Sequence, residues 1–490
     1  MSNVFDAIVV GSGPNGLAAA ITLQRAGLSV LLIEGKATIG GGLRSKELTV
    51  PGFVHDVCSA VHPMAASSMV FNKFPLAAFG LEFIRSRFSL AHPFDDGSAV
   101  TVEDSVQQTA LQFSDAVSYQ KLVTSLLRDW SYISSAFLGP VDLHSNFSHV
   151  ANFASKAILP ASVLIKRNCK DVKLQSLLAG IASHSMLPLN KLGTSAFALL
   201  LLALAHLNGW PIIKGGSQKL ADALAAYFIS LGGTLQTDVM VKSLHQLPAS
   251  RVVLFDVAPK QLLQMAGLHL SALYKWQLNH YKYGMGIFKI DWALSTQTPF
   301  KAAACRQATT IHLGNTFNEI KNNEQIVGSG RLPLHPFVIY VQPTIVDTSR
   351  SPAGTHTAWA YCHTPNASAY SMKMAIEDQV ERFAPGFKDC ILESHVMTNA
   401  DLEDYNPNYV GGDINGGCFN LYQMFARPAI RIPAYRTSVK NVYLCSASTP
   451  PGGGVHGICG YYAARRALKD LFKINLPRLN MLITDSSAYQ

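Results

Sequence analysis

Three glycines near the N-terminus, Gly11, Gly13 and Gly16, constrain the fold of this chain more than any other feature. They follow residues 7–10, a short β-branched apolar run that predicts a buried parallel strand. At this spacing the first glycine permits a tight turn, the second lets the backbone approach a pyrophosphate, and the third lets the next helix pack closely. The pattern therefore predicts a nucleotide-binding loop, which also contains Ser12, Pro14 and Asn15.

The residues after this loop predict the rest of a βαβ unit. Residues 15–26 have the apolar spacing of a helix, which Gly27 ends, and residues 29–33 predict a second strand. This strand leads to Glu34, at the distance along the chain where an acidic side chain accepts hydrogen bonds from an adenosine ribose. The N-terminal amides and dipole of the helix face the phosphates. Nicotinamide and flavin dinucleotides both remain open, and the alternative is a glycine-rich turn of another α/β fold.

A second glycine cluster favours the flavin. Gly40, Gly41 and Gly42 are followed by Leu43 and Arg44. This sequel resembles that of two-dinucleotide-fold flavoproteins, in which a second glycine cluster passes under the pyrophosphate and an arginine supplies a fixed fork of donors. We therefore expect FAD, with Gly41, Gly42, Leu43 and Arg44 among the residues that bind it.

The composition indicates extensive apolar surface. Hydrophobic residues make up 48% of the chain and charged residues 14%, whereas about 25% of residues are charged in ordinary globular proteins. This imbalance predicts a large core, an apolar ligand cavity or a surface that touches lipid. The formal charge is +9, but no basic run is interleaved with aromatic residues, so nucleic acid is not an expected partner. Cofactor phosphates or an anionic membrane account for the charge.

The chain shows no sign of a targeting segment, a membrane span or a metal site. The first strand begins too early for a signal peptide, and the longest apolar run, residues 195–207, is shorter than the roughly 20 residues that a span needs. The 8 cysteines form no CxxC pair and no zinc-ligand spacing. We therefore expect a cytoplasmic protein without metal or redox disulfide, either free or associated with a membrane surface.

The middle of the chain alternates between two kinds of pattern. Residues 71–209 predict a mainly helical insert, and residues 272–433 are more β-like. Between them, Ser217 is a plausible N-cap of a helix that runs to about Ser230. The strands that follow this helix are typical of the part of a nucleotide domain that covers an adenine, where we expect the backbone of Val241 to make the contact.

Four histidines are candidates for the wall of a cofactor and substrate cavity: His62, His184, His206 and His456. The last lies between a glycine-rich loop, residues 446–455, and the helix that follows it. Histidines in apolar surroundings are also commonly core residues with hydrogen-bond partners. The functional alternative is that they supply isolated polar groups in an apolar wall.

The C-terminal stretch, residues 441–468, predicts a strand, this loop and a helix from Gly457. Such a helix start stabilises the negative charge that develops at flavin N1 and the C2 carbonyl. The alternative is an ordinary strand-to-helix turn. We expect Gly453, Gly454, Val455, His456 and Gly457 to lie beside the isoalloxazine.

Together these motifs resemble the phytoene dehydrogenase-related flavoproteins, a group of carotenoid desaturases, carotenoid isomerases and retinol saturases. The segments KIDWAL (289–294), AWAYCHTP (358–365) and NPNYVGGDINGG (406–417) are most similar to the branch called pyridine nucleotide-disulphide oxidoreductase domain-containing proteins. The chain departs from the desaturases in having Gly42 and Leu43 before Arg44, and PPGGGVHG in the terminal loop.

The resemblance implies an α/β fold with a discontinuous Rossmann-like FAD domain and an α+β substrate domain. We assign residues 1–75, 211–271 and 434–475 to the FAD domain, 76–210 and 272–433 to the substrate domain, and 476–490 to a tail. The expected activity is hydride transfer between flavin N5 and a small apolar, unsaturated substrate. Alternatives are isomerisation on reduced FAD, amine oxidation with Trp210, Trp359 and Tyr361 as an aromatic cage, or an FAD-stabilised scaffold without turnover. The substrate, the electron acceptor and the oligomeric state stay open.

Overall fold

The structure is a computed structural model that describes residues 5–139 and 147–479. Its strands are β1 Phe5–Val10, β2 Val30–Ile33, β3 Ser45–Glu47, β4 Val54–Asp56, β5 Phe83–Ile84, β6 Leu90–Pro93, β7 Ala99–Val102, β8 Ile212–Ile213, β9 Thr234–Gln236, β10 Ser250–Phe255, β11 Gly286–Leu294, β12 Thr310–Leu313, β13 Val338–Val341, β14 His356–Thr364, β15 Ile391–Met397 and β16 Val442–Leu444. Its α-helices are α1 Pro14–Arg25, α2 Pro63–Ala66, α3 Val106–Ala110, α4 Ala116–Arg128, α5 Trp130–Phe137, α6 Phe147–Ala157, α7 Ala161–Asn168, α8 Val172–Ser183, α9 Thr194–Leu207, α10 Gln218–Ser230, α11 Pro259–Ala266, α12 Ala272–Asn279, α13 Phe317–Gly328, α14 Lys373–Phe383, α15 Asn399–Tyr405, α16 Leu421–Phe425 and α17 Ile458–Ala467.

A parallel sheet of 5 strands carries the N-terminal glycine loop, in the order β16-β10-β1-β2-β9. All four strand pairings are parallel. The β-branched and aliphatic residues of β1 and β2 are buried, as strands covered on both faces require. The chain returns to this sheet twice, first with β9 and β10 and again with β16, so distant parts of the sequence meet at one sheet edge.

Helices α1 and α17 pack against each other on this sheet with very little space between them. A Cβ atom at Gly460 of α17 would lie 1.9 Å from the carbonyl oxygen of Asn15. The glycine therefore lets the two helix backbones approach closely. As a result, the start of the C-terminal helix lies next to the loop that begins the chain.

The local sequence signals predicted the elements of this sheet well. The predicted helix over residues 15–26 is α1, the predicted strand over residues 29–33 is β2, and the C-terminal helix begins as expected after Gly457. The prediction of Ser217 as an N-cap is wrong, because its side chain accepts no bond from the first turn of α10. Its hydroxyl instead donates to the carbonyl of Ser59, at 2.6 Å.

A second sheet of 7 strands, in the order β15-β11-β14-β13-β12-β6-β7, faces the first part of the chain. Its pairings are antiparallel except that of β12 with β6. Most of the predicted helical insert is helical, from α3 to α9, but β6 and β7 of the same stretch belong to this sheet. Both are only 4 residues long, and β6 contains Pro93, so no alternating pattern of useful length marked them as strands.

The apolar run at residues 195–207 forms most of helix α9, which contributes to the largest core cluster. Leu200 and Leu201 of α9 are only partly buried. No helix within residues 5–139 and 147–479 combines the length and apolar character needed to cross a membrane. Helix α9 is therefore a packed core element, one side of which reaches a large cavity between the two sheets.

A buried ion pair joins the two sheets. Asp56, at the end of β4, accepts a hydrogen bond from the Arg350 guanidinium at 2.5 Å, and Arg350 also contacts Asp347 at 2.9 Å. All three residues are nearly inaccessible to solvent. The guanidinium holds the pKa of both carboxyl groups below the usual range despite their burial. These charges are paired, as burial demands.

Candidate dinucleotide and substrate site

A cavity of about 740 Å³ opens where the parallel sheet meets the second sheet. One end is formed by residues just after the carboxyl ends of β1, β2 and β10, the edge at which open α/β sheets bind ligands. The other end is formed by apolar residues of β13 and β14, together with Leu201 of α9. Its volume lies in the range of about 300 to 1,000 Å³ that is typical of cofactor and ligand sites.

The glycine loop forms the floor of the first end. Gly11, Ser12, Gly13, Pro14 and Asn15 line the cavity, whereas Gly16 does not. A Cβ atom at Gly16 would lie 1.9 Å from the carbonyl oxygen of Gly11, so this glycine lets α1 fold back on the strand. Gly11 has a φ of +98°, which favours glycine. The loop is therefore open to a ligand because three side chains are missing from it.

Glu34, the expected ribose acceptor, lines the same end of the cavity. Its Oε2 accepts hydrogen bonds from the amide and the hydroxyl of Ser12, at 3.0 and 2.6 Å. Its Oε1 accepts from the amide of Lys36 at 3.0 Å and from Nη2 of Arg44 at 3.1 Å. A carboxylate has about four lone-pair sites, so a ribose hydroxyl has to share or replace one of these donors.

Arg44 and the second glycine cluster lie beside Glu34. The guanidinium of Arg44 borders the cavity and donates to the carbonyls of Thr38 and Gly41 as well as to Glu34. Gly41 and Gly42 also line the cavity, whereas Leu43 is fully buried in the core beneath it. Only part of the arginine fork is therefore available to a pyrophosphate.

Val241 lies at the far edge of this end, within a run of Val239, Met240 and Lys242 that also lines the cavity. The run follows β9 and is not itself a strand. Its apolar side chains and free backbone suit the flat, hydrogen-bonding face of an adenine, the contact expected of Val241.

The terminal loop contributes Gly454 and Val455 to the opposite wall, while Gly453, His456 and Gly457 lie behind it. A Cβ atom at Gly454 would lie 2.7 Å from Sδ of Met64, and the φ of Gly454 is +128°. Both facts restrict this position to glycine. The loop therefore approaches residues 63–65, which form another part of the wall.

Two of the four candidate histidines do not line the cavity. Nδ1 of His456 accepts from the amide of Ile458 at 3.0 Å, and its Nε2 is 3.2 Å from the carbonyl of Gly452. Burial lowers the pKa of His456 to about 4, so the ring is neutral and braces the start of α17. His206 contacts the hydroxyl of Tyr119 at 2.6 Å and belongs to the core.

His62 lines the cavity, and its tautomer follows from its neighbours. The hydroxyl proton of Ser217 is used by the carbonyl of Ser59, so Nε2 of His62, which is 2.8 Å from Ser217 Oγ, must be the donor. Burial lowers the pKa of His62 to about 4. Nδ1 is then an unprotonated acceptor, and it has no partner among the described residues.

Replacing Ser217 by alanine is expected to lower the free energy of unfolding by about 1 to 2 kcal/mol, because the buried Nε2–H of His62 and the Ser59 carbonyl lose their partner. Chemical denaturation of both proteins measures the difference. Ser230→Ala, in the exposed last turn of α10, is the control and should change stability by only a few tenths of a kcal/mol. Equal effects of the two substitutions would contradict the assigned tautomer.

The substrate end of the cavity is largely aromatic. Trp359 and Tyr361, two residues apart on β14, stack with ring centroids 5.9 Å apart and planes inclined by 9°. Trp210 and His184 lie on another wall, with ring centroids 5.4 Å apart. Nε2 of His184 is 3.0 Å from Nε2 of His312, and burial lowers the pKa of both histidines. Both rings are therefore neutral at physiological pH.

Asp256 is the site residue that the sequence analysis missed. It follows β10, lines the cavity, and accepts a hydrogen bond at Oδ2 from the amide of Gly16 at 2.8 Å. No cation pairs with it among residues 5–139 and 147–479. Burial, with a smaller effect of Glu34, raises its pKa to about 7. The available signal was an acidic residue at the end of a predicted parallel strand, which is where such sheets place ligand-binding groups.

The described residues contain no group of three or more His, Cys, Asp or Glu side chains placed to hold a metal ion. The 8 cysteines are free thiols, and burial raises the pKa of each of them. Neither a thiolate nucleophile nor a metal-ligand cluster is thus among the groups that the described residues present to this cavity. Its chemistry depends on a bound dinucleotide and on neutral or apolar side chains.

A glycine loop at the edge of a parallel sheet, facing the aromatic wall of a second sheet, defines a dinucleotide-binding oxidoreductase. Residues 9–73 match the NAD(P)-binding Rossmann-like domain. The chain is related over almost its whole length to the phytoene dehydrogenase-related oxidoreductases, a group that is typically flavin-dependent. This relationship confirms the resemblance and the α/β fold class predicted from the sequence.

The individual relatives are distant but cover nearly complete chains. Pyridine nucleotide-disulfide oxidoreductase domain-containing protein 2 of Rattus norvegicus is 25% identical, over 95% of this chain and 94% of its own. One of the polypeptides of the limonene dehydrogenase of Castellaniella defragrans is 22% identical over 95% of both chains. Phytoene desaturase (lycopene-forming) of Pseudescherichia vulneris is 23% identical, over 94% of this chain and 98% of its own.

Among solved structures, putrescine oxidase bound to putrescine has the same fold. Its TM-score is 0.61 at 15% identity, and the match covers 97% of this chain and 100% of that one. The enzyme class predicted from the sequence, an oxidoreductase of the phytoene dehydrogenase type, is confirmed by the relatives, while the fold likeness leaves the substrate open.

Proposed function

We propose that the chain binds FAD in this cavity and oxidises or reduces an apolar, unsaturated substrate by hydride transfer at flavin N5. The observation that carries the proposal is the continuity of the cavity, from the glycine loop to the apolar and aromatic wall of the second sheet. Residues 1–75, 211–271 and 434–475 would form the cofactor domain, with residues 76–210 and 272–433 around the substrate. Two relatives named for limonene and phytoene, both unsaturated hydrocarbons, support the substrate class.

The residues of the first end fit an extended dinucleotide. Ser12 to Asn15 would contact the pyrophosphate with Gly41, Gly42 and the free part of Arg44, while Glu34 would meet the ribose and Val241 the adenine. Gly454 and Val455 would lie against the flat ring, because only glycine permits this approach of the loop. When bound, the flavin supplies the hydride acceptor or donor.

The side chains at the other end have simpler roles. Trp210, Trp359 and Tyr361 would exclude water and orient the substrate, and neutral His62 and His184 would be the polar groups nearest to it. None of them is positively charged at neutral pH, because burial lowers the pKa of both histidines. The chain itself therefore offers no strong acid at this end, and the reaction relies on position rather than on proton transfer.

Amine oxidation is the second candidate, and the stacked pair of Trp359 and Tyr361 is the observation that favours it. Two aromatic rings on one wall suit an amine, and the fold is that of putrescine oxidase. Against it, the surrounding wall is mainly aliphatic. Isomerisation of a double bond on the reduced cofactor remains the close variant of the first proposal.

The test begins with the chromophore. The purified chain is expected to carry or take up FAD, which mass spectrometry of the denatured extract identifies. After photoreduction without oxygen, reoxidation is then followed with polyenes and alkenes, and separately with quinones, oxygen and nicotinamide as electron acceptors. In the opposite direction, the oxidised protein is mixed with saturated analogues and with amines, and bleaching of the flavin is recorded.

Each outcome of this test selects one reaction. Reoxidation by a polyene supports hydride transfer to an unsaturated substrate, whereas bleaching by amines alone replaces the proposal with amine oxidation. Turnover of a double-bond isomer at catalytic amounts of reductant, with no net redox change, selects isomerisation. If no compound alters the flavin faster than buffer does, the chain is a flavin-stabilised scaffold and the enzymatic proposal fails.

A further inference from the structure

One part of the surface combines exposed apolar side chains with positive charge. We call it the basic apolar surface. It consists of the outer face of α12 and the segment 421–432. Its large apolar members are Leu273, Trp276, Tyr422, Phe425, Ile430 and Ile432. Trp276 is 58% exposed and Ile432 is 97% exposed, so these side chains have no cover in the described part of the chain.

Hydrogen bonds join the two segments into one surface. The amide of Ile430 donates to Oε1 of Gln277 on α12, at 3.1 Å. Gln423 of α16 accepts from the amide of Lys282 at 2.7 Å and donates to its carbonyl at 2.9 Å. Arg431 stands 5.8 Å from the ring centroid of Tyr274. The helix and the following segment are therefore neighbours at both ends.

The helix presents its two faces clearly. Tyr274 and Leu278, one turn apart, are buried in the core cluster around β10 and β16. Leu273 and Trp276 point the other way and are exposed. The outward face of α12 therefore carries a leucine and a tryptophan where a helix on a soluble surface usually carries charged or polar residues.

The charge of this surface has one sign. No aspartate or glutamate occurs in residues 257–290 or in residues 414–469. Lys275, Lys282, Arg431 and Lys440 accompany the apolar side chains. Such a combination of tryptophan, aliphatic side chains and cations is suited to the boundary between lipid headgroups and acyl chains.

The surface is also tied to the wall of the cavity. Nη2 of Arg427, next to α16, contacts the carbonyls of Gly416 and Ala447, both at 3.2 Å. Gly416 and Ala447 line the cavity, as do Ile414 and Asn415 just before the segment begins. The exposed segment and the site wall are thus joined through one buried guanidinium.

We propose that the basic apolar surface docks the chain onto an anionic lipid bilayer as a peripheral protein. The occupant follows from the one sign of charge and from the exposed tryptophan and isoleucines. Docking itself depends on neither cofactor nor reaction. Its consequence, direct transfer of an apolar substrate between the bilayer and the cavity, rests on the proposed function.

The test is co-sedimentation of the full chain with vesicles of phosphatidylcholine, with or without phosphatidylglycerol. We expect binding to the anionic vesicles that weakens with salt, because screening shortens the reach of the basic side chains. The Trp276→Ser, Ile432→Ser double variant should lower the bound fraction at least about fivefold, and Lys275→Ala with Arg431→Ala should remove the preference for anionic lipid.

Leu334→Ser with Met374→Ser is the matched control, because both side chains are more than two-thirds exposed but lie outside this surface. It should bind vesicles as the original protein does, and all variants should keep its melting temperature. Failure of the original protein to bind anionic vesicles overturns the proposal, as does an equal loss in the control. If the protein is dimeric and Trp276→Ser, Ile432→Ser makes it monomeric without any vesicle binding, the surface is an interface between copies of the chain instead.

Discussion

Gly13→Ala is expected to weaken binding of the dinucleotide by about tenfold to a hundredfold. A Cβ atom at this position would lie 2.7 Å from Oδ2 of Asp256, a contact that has to be relieved by movement of the loop or of the carboxyl group. Overpacking of this kind costs about 1 to 3 kcal/mol, and each 1.4 kcal/mol is about a factor of ten in affinity. Titration of the apoprotein with FAD, followed by quenching of flavin fluorescence, measures the change.

Two further variants separate the causes of this loss. If the clash with the carboxyl group is responsible, Asp256→Ala should restore much of the affinity that Gly13→Ala removes, giving a coupling between the two positions. If the methyl group instead blocks the phosphate, the double variant stays weak. Gly97→Ala, where the added atom meets nothing within 4 Å, is the distant control for affinity. An unchanged dissociation constant in Gly13→Ala would remove this glycine from the binding loop.

The first sheet was predictable because its signals are local. A strand, a turn of fixed glycine spacing, a helix and a second strand lie within residues 5–34, and each has its own periodicity. The second glycine cluster and the C-terminal loop carried similar local signals. These stretches therefore indicated a dinucleotide site before any contact between them was known.

The second sheet and the polar contacts of the site depend on residues that are far apart in the sequence. Strand β6 pairs with β12, more than 200 residues later, and four-residue strands show no useful alternation. Ser217 looked like a helix cap, but Ser59 and His62 compete for its hydroxyl group. His456 looked like a site residue, but its ring braces its own loop. Sequence patterns report the period of an element and not which distant side chain meets it.

Asp256 illustrates the same limit at the most sensitive point of the site. Its position after a strand was visible, but its meaning comes from the amide of Gly16 and from the absence of a paired cation among the described residues. One N-terminal amide of α1, expected from the sequence to face the phosphates, is occupied by a carboxyl group. A pyrophosphate bound at this loop has to coexist with that group.

The affinity of the apoprotein for FAD is therefore expected to fall as the pH rises through about 7. Burial raises the pKa of Asp256 to about 7, so below this pH the carboxyl group is mainly protonated, neutral and able to donate to a phosphate oxygen. Above it, the carboxylate repels the pyrophosphate. The phosphates themselves favour the protonated form further. The dissociation constant should thus rise with pH, approaching about tenfold per pH unit where the free protein is ionised and the complex is protonated.

The charged and titratable neighbours leave Asp256 as the main source of this slope. Glu34 is the acidic neighbour that raises its pKa, and the nearby Cys445 and Cys459 have thiol pKa values raised by burial. Asp256→Asn cannot ionise and still presents donor hydrogens, so its dissociation constant should be nearly constant from about pH 6 to about pH 9. Its affinity at the upper limit should exceed that of the original protein.

The same protonation also changes the stability of the apoprotein, with the opposite ligand dependence. Because the folded protein holds this proton up to about pH 7 while the unfolded chain releases it near pH 4, the free energy of unfolding contributed by Asp256 decreases between these values. Bound FAD should retain the proton and shift that loss to higher pH. Thermal melts with and without FAD test this shift. A dissociation constant that is flat with pH in the original protein would mean that the carboxylate stays ionised beside the phosphates, and the glycine loop would then need a cation to hold them.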